Sequence, residues 1–268
     1  MLSKLKTKKF YISAVAIVVI LIVLAVVFFY KENYSKIAVI PITGYLYSSP
    51  QYNSDGSLDK DTTISIDVIA KIRKANKDKR VKAIVFLVDS SGGDIFTAEE
   101  ITRAIKEIKK PTVSLIRSMG ISSAYWIASA TGRIFALPVS GIADIGVTNS
   151  YVDNSKQNAD NGLTFNQLSY GKYKDMKNPD KPLTPNEEKL IMAQTTEVAQ
   201  IFIKEVAENR HLPIEKIQAI ADGSAILGQD AIKLGLIDEI GSFADVDRYL
   251  SQVFKRNVEV CILSNEER

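Results

Sequence analysis

Residues 82–116 read KAIVFLVDSSGGDIFTAEEITRAIKEIKKPTVSLI. The runs 82–88 and 112–116 are short and mostly apolar, as in strands that are buried on both faces of a sheet. Between them, residues 97–110 carry apolar side chains at three- and four-residue spacing, which is typical of an amphipathic helix. A buried strand, a helix and a second buried strand predict parallel strands with a helix packed across them.

The same alternation continues on both sides of this stretch, so the predicted fold class is α/β, a sheet covered by helices. Thr184, Pro185 and Glu187 form a capping box with proline in the first turn, which predicts a long helix from there to about Arg210. We interpret Cys261, on the last predicted strand, as a small packing residue. The other predicted strands are 36–42, 133–138 and 257–263, and the other predicted helices are 64–78, 122–130, 213–223 and one opened by Ser242–Asp245.

The composition excludes several kinds of chemistry. Of the 268 residues, 46% are hydrophobic and 24% are charged, as in a folded chain. One cysteine, Cys261, and one histidine, His211, can form neither an intrachain disulfide nor a Cys/His zinc site. Metal-dependent hydrolysis is therefore not expected, and a histidine mechanism would have to use His211.

The basic excess of the chain is confined to its first residues. The chain has 34 Lys and Arg against 31 Asp and Glu, a formal net charge of +3. Without the five lysines that precede the first acidic residue, 29 basic and 31 acidic residues remain, so residues 32–268 carry −2. No nucleic-acid partner is expected on this charge. The five are Lys4, Lys6, Lys8, Lys9 and Lys31.

From Phe10 to Tyr30 the chain is uncharged and strongly apolar. A helix of about 20 such residues spans the hydrocarbon core of a bilayer. The run therefore predicts a retained transmembrane helix rather than the two alternatives, a buried core helix or a cleaved signal peptide. The lysines before it predict a cytoplasmic N-terminus and place the chain after residue 30 on the extracytoplasmic side.

Two turns that follow predicted strands carry candidate site residues. In residues 89–94, DSSGGD, two glycines allow backbone N–H groups to face an oxyanion or a phosphate, although an ordinary strand-to-helix turn is the alternative. No phosphate-binding loop motif is present in the sequence, so nucleotide binding has little support. Residues 118–126, SMGISSAYW, place Ser122 and Ser123 at a helix start, where a serine is either a nucleophile or an N-cap.

A serine nucleophile needs a base. His211 lies in a polar junction between two predicted helices, where a surface position is expected. Lysine with a lowered pKa is the usual alternative. Lys172, Lys174 and Lys177 are candidates, and composition does not choose among them.

These motifs, in this order, resemble the signal peptide peptidase A family, also called protease IV. The family's Asp-Ser-Pro-Gly-Gly is matched by residues 89–93, its Met-Ala-Ala-Ser-Gly-Gly-Tyr-Tyr-Ile-Ala by 119–128, and its Gly-x-x-Lys-Asp by 171–175. The resemblance extends from about Ile37 to Leu250. Further matching segments are 183–187, 206–210, 221–223 and 235–241.

The resemblance implies a serine endopeptidase with a Ser-Lys dyad on a Clp-protease/crotonase-like fold, a repeated ββα superhelix. Ser122 would be the nucleophile and Lys174 the general base. The backbone N–H groups of Gly93 and Ser123 would form the oxyanion hole. The implied substrates are extended peptides such as signal-peptide remnants at the extracytoplasmic membrane face, and the implied assembly is a homo-oligomeric ring. No cofactor or metal is implied.

This interpretation divides the chain into five parts. They are a cytoplasmic basic tail (1–9), a transmembrane helix (10–30), a linker (31–35), a serine peptidase domain (36–254) and a C-terminal strand and tail (255–268). Tyr45, Tyr47, Tyr52 and the loop 48–61 have no predicted core position. They fit an interface between subunits or, alternatively, a flexible surface loop.

The sequence departs from the family pattern near the predicted site. Ser91 replaces proline, Ser123 and Ala124 replace two glycines, and Asp144 stands where the family has a small Gly-Ser pair. These changes are expected to alter the pocket while leaving Ser122 and Lys174 intact. Two other functions stay open: an inactive scaffold that binds peptides or partners, and a crotonase-like acyl-CoA enzyme.

Overall fold

A largely parallel sheet forms the centre of the protein in a computed structural model, which describes residues 15–26, 34–59 and 61–263. The strands are β1 (Tyr34–Tyr47), β2 (Thr62–Ile64), β3 (Val81–Gly93), β4 (Thr112–Ile121), β5 (Arg133–Ala136), β6 (Gly141–Ala143), β7 (Ala225–Leu227), β8 (Glu239–Ile240) and β9 (Asn257–Ile262). Their order is β2-β1-β3-β4-β5-β8, with β9 beside β1, β6 beside β4, and β7 beside β6. Among these strands, only β6 and β7 pair antiparallel.

The three long strands each contribute to two strips of sheet. β1 pairs with β3 up to Thr43 and, after a register shift, again at Tyr45 and Leu46. β3 shows the same break, because its pairing with β4 stops at Val88 and resumes at Ser90. The first parts of the strands lie between β9 and β5, and the second parts lie between β2 and β6.

Helices follow the strands along the chain. They are α1 (residues 15–26), α2 (Ser65–Lys77), α3 (Ile95–Lys106), α4 (Ser123–Ser129), α5 (Ser155–Asp160), α6 (Pro185–Arg210), α7 (Ile214–Gln218), α8 (Gly228–Leu234) and α9 (Phe243–Phe254). Both predicted capping boxes are confirmed. Thr184 and Glu187 open α6, and Ser242 and Asp245 open α9. Each box satisfies backbone N–H groups that have no partner within the helix.

Alternating side chains of the strands supply two hydrophobic cores. On β1, Ala38, Ile40 and Ile42 face the larger core, whereas Ile37 and Val39 face the smaller one. The larger core packs against α2, α3, α4 and α6, and the smaller one packs against α9. Both faces of the sheet are therefore covered, which explains the continuous apolar runs of the strands.

Helix α4 is buried along its whole length. Trp126 of α4 stacks on Phe202 of α6, with ring centroids 5.1 Å apart and planes inclined by 11°. The hydroxyl of Tyr125 donates a hydrogen bond to the carbonyl oxygen of Leu236 at 2.8 Å. These contacts fix α4 between the sheet and α6, and so fix the residue that precedes it, Ser122.

The structure differs from the sequence predictions in several places. β1 continues past the predicted end at residue 42 as far as Tyr47, because Tyr45 and Tyr47 pair with β2 and Tyr45 also pairs with β3. Helix α7 ends at Gln218, before the predicted Gly223. The sequence pattern does not predict the short elements β2, α5, β6, β7, β8 and α8. Their length leaves too few residues for a periodic pattern to show.

Only part of the predicted transmembrane helix falls within the described residues. Residues 10–14 and 27–30 lie outside them, whereas residues 15–26 are helical and expose apolar side chains. Among the described residues, no helix combines the length and the apolar character required to cross a membrane.

The stacked pair leads to a stability prediction. Phe202→Ala should lower the free energy of unfolding by about 3–5 kcal/mol, because it removes a fully buried ring and leaves a cavity beside Trp126. The neighbouring Ile201 is 48% exposed, so Ile201→Ala should cost much less, within about 1 kcal/mol. Urea denaturation followed by circular dichroism measures both. Equal losses for the two variants would contradict the packing described.

Candidate active site

The turn at the end of β3 is held by a buried serine. Ser90 is 1% exposed, and its hydroxyl donates to the carbonyl oxygen of Gly44 at 2.6 Å. The hydroxyl oxygen of Ser90 also accepts a hydrogen bond from the N–H of Gly92 at 3.1 Å. Ser90 therefore ties β1 to the turn and orients the two glycines that follow.

The two glycines of this turn are required by close contacts. Gly93 has φ +151°, and a Cβ there would lie 2.4 Å from the carbonyl oxygen of Leu46. Gly92 has φ +92°, and a Cβ there would lie 2.9 Å from the Cβ of Ser122. Because real Cβ atoms do not approach so closely, only glycine lets this turn touch both β1 and the start of α4.

Ser122 has a strained backbone at the junction of β4 and α4. Its φ and ψ are 52° and −133°, a conformation that is rare for a residue with a side chain. Its N–H donates to the carbonyl oxygen of Ala143 at 2.7 Å, and its own carbonyl oxygen accepts from Tyr125 at 2.9 Å. The surrounding structure thus holds a conformation that the residue would not adopt alone.

The two serines of the motif differ in their surroundings. Ser122 occupies the N-cap position, but its side chain forms no capping hydrogen bond, and the residue is half-buried at a cavity. Ser123 is fully buried, and its hydroxyl donates to the carbonyl oxygen of Gly93 at 3.2 Å. Of the two hydroxyl groups, that of Ser122 is the one available to a bound molecule.

A cavity of about 840 Å³ opens beside Ser122. Its walls come from the β3 turn, the segment after β6, the exposed face of α6 and the segment before β7. Gly93 of the predicted oxyanion hole is part of the lining. The full lining is Tyr45, Ser91, Gly93, Asp94, Ile95, Ser122, Asp144, Gly146, Val147, Thr148, Met192, Thr195, Thr196, Ala199, Ala221, Asp222 and Gly223.

The candidate lysines lie elsewhere. Lys174 is exposed in the turn 171–177, and it is not among the described residues that line the cavity. Lys172 lies over the ring of Tyr173, 5.0 Å from its centroid, and Lys177 donates a hydrogen bond to the side-chain oxygen of Asn149. Within one chain, the structure therefore brings together Ser122, Ser123 and Gly93 but not Lys174.

His211 is exposed, as predicted from the sequence. It ends α6 in a left-handed conformation, with φ 54°. It lines a separate groove together with Lys204 and Glu208, and it does not belong to the described lining of the Ser122 cavity. Nowhere in the described ranges do three or more metal-binding side chains form a group that could hold an ion.

Three carboxylates line the cavity: Asp94, Asp144 and Asp222. Burial raises the pKa of Asp144. Hydrogen bonds from the side chain and the backbone N–H of Ser224 lower the pKa of Asp222. In the sequence, Asp144 stands out only as a departure from the family pattern, and no pattern points to Asp222 as a site residue. Asp222 lies 100 positions after Ser122 and comes close to it through the pairing of β6 with β7.

Comparisons with known proteins identify the family of the chain. The sequence pattern of Peptidase family S49 matches residues 104–257, more than half of the chain and the whole of β4 and α4. The chain belongs to peptidase family S49. Membership places it among the serine peptidases, which confirms the predicted family and class of enzyme.

Individual relatives cover most of this chain. A candidate protease of Methanocaldococcus jannaschii is 31% identical over 92% of this chain and 83% of its own length. A candidate signal peptide peptidase of Enterococcus faecium is 29% identical over 75% of this chain and 56% of its own length. Protease 4 of Salmonella typhi is 32% identical over 78% of this chain, which spans only 33% of that longer protein.

The contact between Gly92 and Ser122 generates a matched test. Gly92→Ala should lower peptide hydrolysis at least about a hundredfold, because the new Cβ must displace Ser122 by a sizeable fraction of an ångström. Gly56→Ala is the control, since Gly56 also has a positive φ, +80°, but no atom within 4 Å of a new Cβ. Backbone strain is thus similar in both. Comparable activity of the two variants would contradict the proposed role of the contact.

Proposed function

We propose that this protein is a membrane-anchored endopeptidase that cuts extended peptides, such as signal-peptide remnants, at the extracytoplasmic face of the membrane. The observation that carries the proposal is the half-buried Ser122 hydroxyl, held on strained backbone at the edge of a cavity. The uncharged run from Phe10 to Tyr30, with lysines before it, supports the anchor and its orientation. The name of the Enterococcus faecium relative supports the class of substrate.

In the proposed mechanism, the Oγ of Ser122 attacks the scissile carbonyl carbon. Neutral Lys174 accepts the hydroxyl proton and donates it to the leaving amine, which leaves an acyl-enzyme that water then hydrolyses. The N–H groups of Gly93 and Ser123 stabilise the oxyanion, at about 3–4 kcal/mol per donor. Ser123 is the first residue of α4, where helix geometry leaves its N–H without an intrahelical partner.

The strand arrangement supports the finer fold expected from the family resemblance. Each of β1, β3 and β4 bends into a second strip of sheet and is followed by a helix, with β2 preceding α2 in the first of these units. We assign this succession to the repeated ββα superhelix of the Clp-protease/crotonase-like fold.

Lys174 has to reach the cavity for this mechanism to operate. We propose that it comes from a neighbouring subunit of a homo-oligomeric ring. The segment between β6 and α6 supports this, because Leu163, Leu168 and Tyr170 are exposed by 62%, 98% and 101%. Exposed apolar side chains in one segment are typical of an interaction surface.

The alternative is a peptide-binding scaffold of the same fold without catalysis. Its supporting observation is the position of Lys174 outside the cavity of its own chain. The two functions differ in whether Ser122 reacts, so variants of the dyad distinguish them.

The dyad leads to a direct test. Ser122→Ala should lower peptide hydrolysis at least about a thousandfold, whereas the buried neighbour Ser123 should not act as nucleophile. Lys174→Arg should be as inactive as Lys174→Ala, because guanidinium does not lose its proton near neutral pH. His211→Ala serves as the control and should retain activity. The rate at which each variant hydrolyses a fluorogenic peptide is the measurement. A large loss of activity in His211→Ala would rule out the Ser-Lys assignment.

The origin of the lysine can be tested by mixing two inactive variants. Suppose that Ser122 of one subunit uses Lys174 of the next. Equal amounts of Ser122→Ala and Lys174→Ala should then regain roughly a quarter of wild-type activity after subunit exchange. Random assembly places an intact Ser122 beside an intact Lys174 in about that fraction of the sites. A double variant mixed with wild type controls for dilution. No recovery, in a mixture shown by sedimentation to contain hetero-oligomers, would place both residues in one chain.

A further inference from the structure

The cavity beside Ser122 has a one-sided charge. Asp94, Asp144 and Asp222 line it, and the described part of the lining contains no lysine, arginine or histidine. Low-dielectric walls strengthen the field of such unbalanced charges inside a cleft. A bound side chain that carries positive charge is therefore favoured there, and a negative one is disfavoured.

Asp144 is built into the same backbone network as Ser122. It follows Ala143, whose carbonyl oxygen accepts the N–H of Ser122 at 2.7 Å. Its own N–H donates to the carbonyl oxygen of Ser224 at 3.2 Å. Its φ of 53° lies in the left-handed region, which aspartate and asparagine tolerate better than most residues. The position of this carboxylate is thus fixed relative to the proposed nucleophile.

The carboxylate of Asp144 has no partner among the described residues. None of them donates a hydrogen bond to it or forms an ion pair with it. Asp94 and Asp222, in contrast, each use one oxygen to accept a backbone N–H, from Phe96 at 3.0 Å and from Ser224 at 2.9 Å. A half-buried carboxylate that no described residue contacts in this way leaves a strong acceptor for a bound group.

A glycine lies beside this acceptor. Gly223 lies opposite Asp144, and a Cβ at Gly223 would stand 3.8 Å from its Oδ1 atom. The N–H of Gly223 donates to the carbonyl oxygen of Ile145 at 3.2 Å, which extends the antiparallel pairing of β6 with β7. This pairing also brings Asp222 to the cavity, so two carboxylates reach it from adjacent segments.

The remaining walls suit a long aliphatic stem. Tyr45, Ile95, Val147 and Met192 line the cavity together with the carboxylates. Lysine and arginine combine an apolar stem with a cationic end and bury the stem while the charge meets polar groups. A volume of about 840 Å³ is sufficient for such a side chain and the adjoining backbone.

We propose that this cavity accepts a lysine or arginine side chain of the bound peptide, with Asp144 as the residue that determines this specificity. The proposal rests on the peptidase function proposed above and names the class of peptide that it prefers.

The test uses three fluorescent peptides that share one sequence and differ at a single residue, which is lysine, norleucine or glutamate. Norleucine keeps the four-carbon stem of lysine but has no charge, so the comparison isolates the cationic end. Hydrolysis by the full chain in detergent gives kcat/KM, and mass spectrometry locates the cut. Fluorescence anisotropy with the Ser122→Ala variant gives Kd without any chemistry.

We expect the lysine peptide to have a kcat/KM at least about tenfold higher and a Kd at least about tenfold lower than the norleucine peptide, with the glutamate peptide weakest in both assays. Asp144→Asn should reduce this preference for lysine over norleucine about tenfold in kcat/KM and in Kd, while preserving the left-handed backbone. Asp247→Asn removes the same charge from the exposed face of α9 and is the matched control, with an unchanged ratio.

The two assays separate this inference from the proposed function. Equal Kd values for the lysine and norleucine peptides would overturn the inference, whether or not hydrolysis occurs. An unchanged preference for lysine over norleucine in Asp144→Asn would overturn the proposed role of Asp144. Binding that prefers lysine and depends on Asp144, without Ser122-dependent hydrolysis, would support the inference and reject the peptidase mechanism.

Discussion

The contact between Gly92 and Ser122 is the constraint on which the rest of the site depends. A parallel sheet brings the carboxyl ends of neighbouring strands to one edge, so the turns after β3 and β4 must meet there. They meet closely enough that a Cβ on Gly92 would overlap the side chain of Ser122. Ser90 holds the first turn through a buried hydroxyl, and the fully buried helix α4 holds the second. The strained backbone of Ser122 persists because both supports are rigid.

The negative charge of the cavity is unfavourable for the proposed lysine base. A lysine acts as a base only when it is neutral, yet nearby carboxylates favour its charged form. Asp94, Asp144 and Asp222 would therefore stabilise the charged form of an entering lysine if solvent and carboxylates alone surrounded it. Burial favours the neutral form of a lysine instead. Burial of Lys174 against a neighbouring subunit and a cationic substrate side chain that occupies the carboxylates would both favour the neutral base.

Much of the fold follows from local sequence patterns. The apolar runs at 36–42, 82–88 and 112–116 predict buried strands. Successive side chains of a strand face opposite sides of the sheet, and both sides are covered by helices, so nearly every position is apolar. The capping boxes at Thr184 and Ser242 predict helix starts because the bonds involved span only three residues. Short elements such as β6 and β7 depend on pairing with strands that are distant in sequence, and they are too short to show a periodic pattern.

The candidate site shows the same division between features that follow from local sequence and features that depend on tertiary contacts. The peptidase motifs, the two glycines of the first turn and the adjacent pair Ser122 and Ser123 are recognisable in the chain alone, since each involves only a few neighbouring residues. Tertiary contacts are needed to show that Ser123 is buried and bonded while Ser122 faces a cavity. They are also needed to show that Asp222 joins Asp144 at that cavity and that Lys174 lies outside it. The reason is physical: which side chains share a cavity depends on strand register and helix packing between distant segments, and no local pattern specifies those contacts.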